Sequence, residues 1–350
     1  MTKTVNTNSL NRAAEQYSPV LTMLPYLVLE PQLAELGIRL LEVKEKDIHL
    51  DFMRKGAVSK PYSSSDDPDD LYVGEVGKIA ERALEVKPCV LPLKDHIMNY
   101  RDKKVISNTA EGVNNQTKKH PIEKLILETA VRTVSEDSLI PLFPGERNDD
   151  NKTPLGMYDG IDTIIDTDIA NGDIATAKGN LINLGASAFI APDPDDATTQ
   201  KTAWNSMLKF LRALDPFLRR QGVLYLPDNI AWRVMDSLGY VVNNRALEWE
   251  VFLGAIKGLG GFNGKIIRTD LMGTGDRIMC SAPNNIDFGL NTKSDQKFVQ
   301  VRDPFEDPNW VQFWIQWDAG MRIKTVHRKR FAINNGTPVG DSSFAGDYQS

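Results

Sequence analysis

Residues 117–138 carry the clearest periodicity in the chain. Ile122, Leu125, Ile126, Ala130, Val131 and Val134 recur at spacings of three and four, the stripe of a helix with one buried face. Pro121 suits the first turn, where its missing N–H costs nothing, Thr117 or His120 can cap it, and Glu128 faces Arg132 one turn on. The segment from Pro121 to Asp137 would span about 26 Å as a helix. A second helix follows the turn Ala191 to Asp196, with Trp204, Met207, Leu208, Leu211 and Leu214 on one side and Lys209 and Arg212 on the other. Next, a short buried strand, Val223 to Leu226, meets Pro227 and then Asp228. That aspartate can cap a third helix carrying Ile230, Val234, Met235 and Leu238. Strand, Pro-Asp turn and helix form a small α/β unit.

The strongest β pattern comes late. Trp310 and Trp314 lie on one face, and Val311, Phe313, Ile315 and Trp317 on the other, so this strand should be central and buried. After Gly320, Met321, Ile323 and Thr325 alternate with Arg322, Lys324 and Arg328. One side there is expected to face solvent or a partner. Tyr158 to Asp173 reads as strand-like pieces broken by Gly and Asp, and Phe252 to Asn291 as short strands and turns.

The early chain looks less self-sufficient. Residues 1–50 turn apolar after a polar start, but Pro19, Pro25 and Pro31 argue for short pieces and extended stretches. That pattern reads as an arm lying along something else. Residues 51–116 contain the acidic loop Ser63 to Asp70 and then short β-like runs mixed with charges. Val73, Val76 and Ile79 suggest one face, while Leu84, Val86, Pro88 and Val90 alternate at period two. Pro88 and Pro92 confine that run to an edge or an unpaired strand. A long charged hairpin is the simplest account, and an isolated hairpin needs a partner surface. All six Trp lie beyond residue 200, so the compact core is expected late in the chain.

Composition narrows the function. The 350 residues include 41 Lys+Arg and 47 Asp+Glu, a net charge of −6, which argues against a dedicated nucleic-acid binder. Cys89 and Cys280 form no ligand or redox motif and read as reduced thiols. The N-terminus has no apolar signal region, and no run approaches the ~18 apolar residues of a membrane span. A soluble intracellular protein is expected.

Catalytic signatures are missing. There is no phosphate loop and no HExxH helix, and in Gly258 to Gly264 Asn263 stands where a dinucleotide loop has its third Gly. Asp166, Asp168, Asn171 and Asp173 have calcium-loop character, but Ala170 occupies the fifth position and Gly172 falls one place late. His49, His96, His120 and His327 show no ligand spacing. No cofactor or metal site and no enzyme emerge. His327, Arg328, Lys329 and Arg330 form a basic cluster that could face nucleic acid or a protein partner.

The order of parts resembles a tailed-bacteriophage major capsid protein of the Hong Kong 97 fold. Three segments carry the likeness: Asp70–Lys103, Lys118–Val134, and Val223–Tyr240 with its sequel Phe262–Leu290. The closing Phe313–Ile333 is similar to the family's last strand. The resemblance implies an α+β chain with an N-terminal arm (1–50), an extended loop (51–116), a peripheral domain with a spine helix (117–179, helix 117–138), an axial domain (180–290), a return to the peripheral domain (291–336) and a tail (337–350). It implies assembly through hexamers and pentamers into an icosahedral shell around double-stranded DNA. Portal, and scaffolding or decoration proteins, would be partners, and the virion capsid the location, with assembly in the bacterial cytoplasm.

No long extra segment precedes the arm, so a scaffold is expected as a separate chain. Some members crosslink a Lys to an Asn; Lys87 and Asn334 are examples of both types, but nothing singles out a pair. Glu75, Lys78, Glu81, Arg82, Glu85 and Lys87 are the expected intersubunit contacts of the loop. Deleting residues 72–100 is expected to leave a soluble chain that forms no shells. The rival readings are an encapsulin-type compartment, a phage tail or head-completion protein, and a cytosolic α/β enzyme.

Overall fold

The computed structural model describes residues 7–53, 78–96, 121–185, 188–242, 248–292, 298–302 and 310–336. Glu75, the acidic loop at 63–70 and the tail at 337–350 lie outside them. The late apolar run forms β11 (Trp310–Ile323), the strand around which the first sheet is organised. β4 (Lys87–His96) pairs antiparallel with it from Trp310 to Ala319. β10 (Val299–Arg302) pairs beside Gln312–Ile315, and β9 (Ile286–Asn291) beside Asp318–Ile323. Residues of β11 that pair with β4 also pair with β10 or β9, so β4 flanks β11 on one side and the other two on the opposite side. β1 (Arg39–Glu42) extends the sheet parallel to β9.

Three helices pack on this sheet or on each other. α1 (Thr7–Glu35) lies against β1, β10 and α2 (Pro121–Asp137), and α3 (Ile161–Ala170) against β11. α2 agrees with the helix expected from periodicity. α1 corrects the expectation of short pieces, because Pro19, Pro25 and Pro31 all lie within one helix. Each proline withholds one N–H from the ladder. Leu10, Ala13, Ala14, Leu21, Leu29 and Leu33 are nevertheless buried in the chain's own core, and that packing overrides local propensity. This face of α1 is therefore covered within one chain, while Val20, Met23 and Leu27 stay exposed. The expectation of a core confined to the later residues is corrected in the same way.

Residues 158–173 also depart from expectation. The β-branched run suggested strands, but Ile161, Ile165 and Asp168 fall on one helical face and are buried. α7 (Trp249–Gly260) replaces the expected turns, with Phe252, Ile256 and Gly260 inward at spacings of four. Gly261, at φ +65°, ends it in the left-handed conformation that glycine adopts at low cost.

The second sheet runs in the order β5 (Leu181–Ile182), β12 (Phe331–Asn334), β8 (Met279–Ser281), β6 (Val223–Pro227), β7 (Lys265–Thr269). It is a partition between two cores. Val223, Tyr225, Met279, Phe331 and Ile333 face the first core, whereas Leu224, Leu226, Cys280 and Ala332 face the second, the period-two alternation of a strand. The second core is closed by α4 (Thr202–Ala213), α5 (Pro216–Gln221), α6 (Asp228–Val241) and α7, with Trp204, Phe210, Leu238 and Phe252 buried in it. The β6–α6 unit matches the sequence reading, shifted by one residue at the cap. Pro227 is the N-cap, and Asp228 is the first helical residue, its carboxylate turned to Arg268 and Trp232. β9 belongs to the first sheet, so the second unit ends before Ile286, and β12 returns to it.

Among the described residues no helix is long and apolar enough to cross a membrane. Asp137 closes α2, where burial, and then the neighbouring Glu136, push its carboxyl up to about 6. A carboxyl raised in the folded state binds more protons folded than unfolded, so its contribution falls as pH rises from about 4 to 6. Asp137→Asn should raise stability by about 1 kcal/mol at pH 7, allowing for its partial exposure. The gain should disappear below pH ~4, as thermal melts across that range would show.

Candidate functional site

The most densely organised polar region is the root of a two-stranded ribbon. β2 (Lys46–Met53) and β3 (Lys78–Glu85) pair antiparallel from Lys46↔Glu85 to Met53↔Lys78. The hairpin expected within residues 51–116 is corrected to a ribbon whose first strand begins at Lys46, and β4 belongs to the core sheet. Deleting 72–100 would remove the strand paired with β11, so that deletion reports on folding and not on assembly alone.

The ribbon crosses the first sheet over two glycines. Gly289 in β9 lies opposite Gly320 in β11. A Cβ on Gly320 would come within 2.2 Å of the Glu85 carbonyl oxygen, and one on Gly289 within 2.9 Å of Val86 Cγ1 and 3.1 Å of Leu84 Cδ2. No larger residue leaves room for this crossing. Leu84 is fully buried there.

Charges lock the crossing. Arg322, only 3% exposed, donates from Nη2 to Asp287 Oδ2 at 2.7 Å and to Asp47 Oδ2 at 2.8 Å. Its Nη1 donates to the carbonyls of Asp47 at 2.9 Å and Arg82 at 3.3 Å. One guanidinium thus holds both strands of the ribbon. The fully buried Asp287 also pairs with Arg39 in β1 and Lys324, each at 3.0 Å. Arg82 forms a two-pronged pair with Asp168 of α3, both contacts at 2.9 Å. The fork geometry suits a partly dehydrated site. Burial raises the Asp168 carboxyl and the Arg82 hydrogen bond opposes that shift. The expectation of a solvated or partner-facing Arg322 is corrected: its side of β11 lies beneath the ribbon.

The expected contact residues divide by strand face. Arg82 points to the core and is spent within the chain. Glu81 is exposed opposite Leu50. Glu85 pairs with Lys46 at 2.9 Å and Lys87 at 3.3 Å, and these lysines, Lys46 first, hold its carboxyl below the usual range. Lys78 stands opposite Met53 at the far end. Sequence reasoning missed Ile48 and Leu50, which are 54% and 57% exposed on the outer face. Their period-two spacing was a usable signal, but the boundary placed at residue 50 divided their strand.

The basic cluster forms the turn between β11 and β12, with His327, Arg328, Lys329 and Arg330 all exposed. The His327 carbonyl accepts from the Arg330 and Phe331 N–H groups, and Lys329 N donates to His327 Nδ1 at 3.3 Å. Arg330 stacks over Phe217, 5.7 Å from the ring centroid. The calcium-like stretch is occupied by ion pairs: Asp166 with Arg277, Asp168 with Arg82 and Asp173 with Lys178. Among the described residues no group of three or more His, Cys, Asp or Glu is placed to hold a metal. Cys89 and Cys280 are unbonded and buried, and burial pushes the Cys89 thiol up to about 12 and Cys280 further. Neither is suited to act as a nucleophile at neutral pH.

No protein-family model matches the chain, and no curated protein matches it in sequence. Solved structures do. A chain of the satellite phage P4 procapsid, a structure that includes the size determination (Sid) protein, matches at TM-score 0.52 and 10% identity, covering 88% of this chain and 89% of that one. A chain from the capsid of an empty GTA particle matches at 0.49 and 14% identity, over 88% and 89%. A virus-like particle from Pyrococcus furiosus gives 0.43 and 9%, over 91% and 98%. The procapsid match shows a shared fold, the α+β Hong Kong 97 type expected from the sequence.

Two substitutions separate the parts of the lock. Asp287→Asn leaves Lys324 without its carboxylate and the buried Arg322 with only the half-exposed Asp47, and should cost about 3 kcal/mol. Arg82→Met removes one partly exposed pair and should cost about 1–2 kcal/mol. Urea denaturation of both would check this order.

Proposed function

We propose that the chain is the major capsid subunit of a tailed bacteriophage, assembling through hexamers and pentamers into an icosahedral shell around double-stranded DNA. The observation that carries this reading is the shared fold with a procapsid chain over nearly the whole length of both. The role is structural rather than catalytic. The residues that carry chemistry are consumed in ion pairs that hold the hairpin, the arm and the sheet together.

The build suits a shell. Many modest interfaces, repeated by symmetry, stabilise a closed particle without any one being strong. The ribbon has its inner face locked on the core, while its outer face offers Ile48 and Leu50 between the Lys46–Glu85 pair and the exposed Glu81. Apolar residues ringed by charges give both burial and register. In this reading the ribbon is the extended loop over a neighbouring subunit, α1 with β1 the arm, α2 the spine helix and the second sheet with its helices the axial domain. Portal, scaffolding or decoration proteins would be separate partners, and the virion capsid the location.

Ile48→Asp with Leu50→Asp should leave the fold intact, because both side chains face outward, yet abolish assembly. Light scattering should give megadalton particles or capsomers of five and six for the unmodified chain and single chains for the variant. Normal particles from the variant would remove the ribbon from the interface. A single-chain mass for the unmodified protein would contradict the shell reading.

A further inference from the structure

Two corners of the second sheet are complementary in charge. At the β7 edge, near the end of β6 marked by the Leu226↔Arg268 pairing, Arg268 lies 4.7 Å from the Trp232 ring centroid and 5.6 Å from that of Trp249. Asp228 accepts from both Arg268 Nε and Trp232 Nε1, the latter at 3.1 Å. Trp232 is 49% exposed, yet it is held at its ring by Arg268 and at Nε1 by Asp228. Asp228, Trp232 and Asp236 follow each other at spacings of four along α6, and Glu250 and Asp270 are also exposed nearby on α7 and after β7. An ordered Trp and Arg at the centre of an acidic rim have the composition of an interface hot spot.

The other corner lies at the opposite end of the strands, where Phe331, Ser281 and Val223 align. It is three strand spacings across the sheet, about 14 Å, and further along the strands as well. It presents Arg328, Lys329 and Arg330, with Arg220 exposed on adjacent α5 and the Phe217 ring under Arg330. Acidic and basic patches at different places on one surface can meet reciprocally across a two-fold axis or head to tail, and the rings of five and six in the shell reading above select the second. Head-to-tail contact is the geometry that closes rings of copies.

We propose that the basic turn of one copy docks on the Trp232–Arg268 corner of the next, so that the 327–330 cluster faces protein within a capsomer rather than packaged DNA. This rests on the shell reading above. Opposite potentials set the register of neighbours, and Trp232 supplies the buried anchor.

The test compares four full-length chains by light scattering, with thermal melts to confirm folding. They are the unmodified protein, Arg328→Glu/Lys329→Glu, Asp236→Lys/Glu250→Lys, and the chain carrying all four changes. Each double variant should raise the concentration needed for assembly about tenfold or more, and the fourfold variant should recover assembly because its reversed corners again match. Folded doubles that assemble normally would overturn the docking while leaving the shell reading intact. So would a folded fourfold variant that does not recover, or an Arg328→Glu/Lys329→Glu shell that differs only in retained DNA. An unmodified chain that stays single at all concentrations would overturn both.

Discussion

Where residues 84–86 cross the first sheet, the Glu85 backbone closes on Gly320 and the Val86 and Leu84 side chains close on the opposed Gly289, so neither position has room for a side chain. Arg322, two residues beyond Gly320, then binds both strands of the ribbon and the buried Asp287. The close approach excludes water from these charges, and exclusion makes their pairing strict: a buried cation without its partner costs several kcal/mol. Sterics and electrostatics therefore specify the same crossing. Because Arg39 shares Asp287, β1 is tied to the same point.

That lock separates two uses of surface. One face of α1 is covered by its own chain, with α1 and α2 packed together and Leu10, Leu21 and Leu29 fully enclosed, while Val20, Met23 and Leu27 stay exposed. The ribbon keeps only its inner face, so Ile48 and Leu50 remain on the outside. The second sheet divides the interior by strand alternation, letting one set of strands support two cores. Exposed large apolar residues lie at the ribbon (Ile48, Leu50), on α1 (Val20, Met23, Leu27) and around Trp232, among other places.

Much of this was legible where local pattern and tertiary burial agree. The α2 stripe, the β6–α6 unit and the long apolar β11 all follow from spacing alone. The misread elements are those where packing outweighs propensity. Three prolines do not break α1, β-branched Ile161, Ile164 and Ile165 sit in a helix, and three glycines are tolerated in α7. Alternation places Arg322 on a side expected to face solvent or a partner, because it reports which residues share a face, not what lies above it. Its real cover comes from a strand more than two hundred residues away in sequence, information that no local window contains. The ion pairs at Asp287 and Asp168 were illegible for the same reason.

Electron cryomicroscopy of the purified full-length protein tests the central claim most directly. The account predicts closed shells in which the outer face of the ribbon, Ile48 and Leu50 included, lies against a neighbouring copy while Arg322 still holds its root. Dispersed single chains, or shells in which the ribbon touches no neighbour, would contradict it.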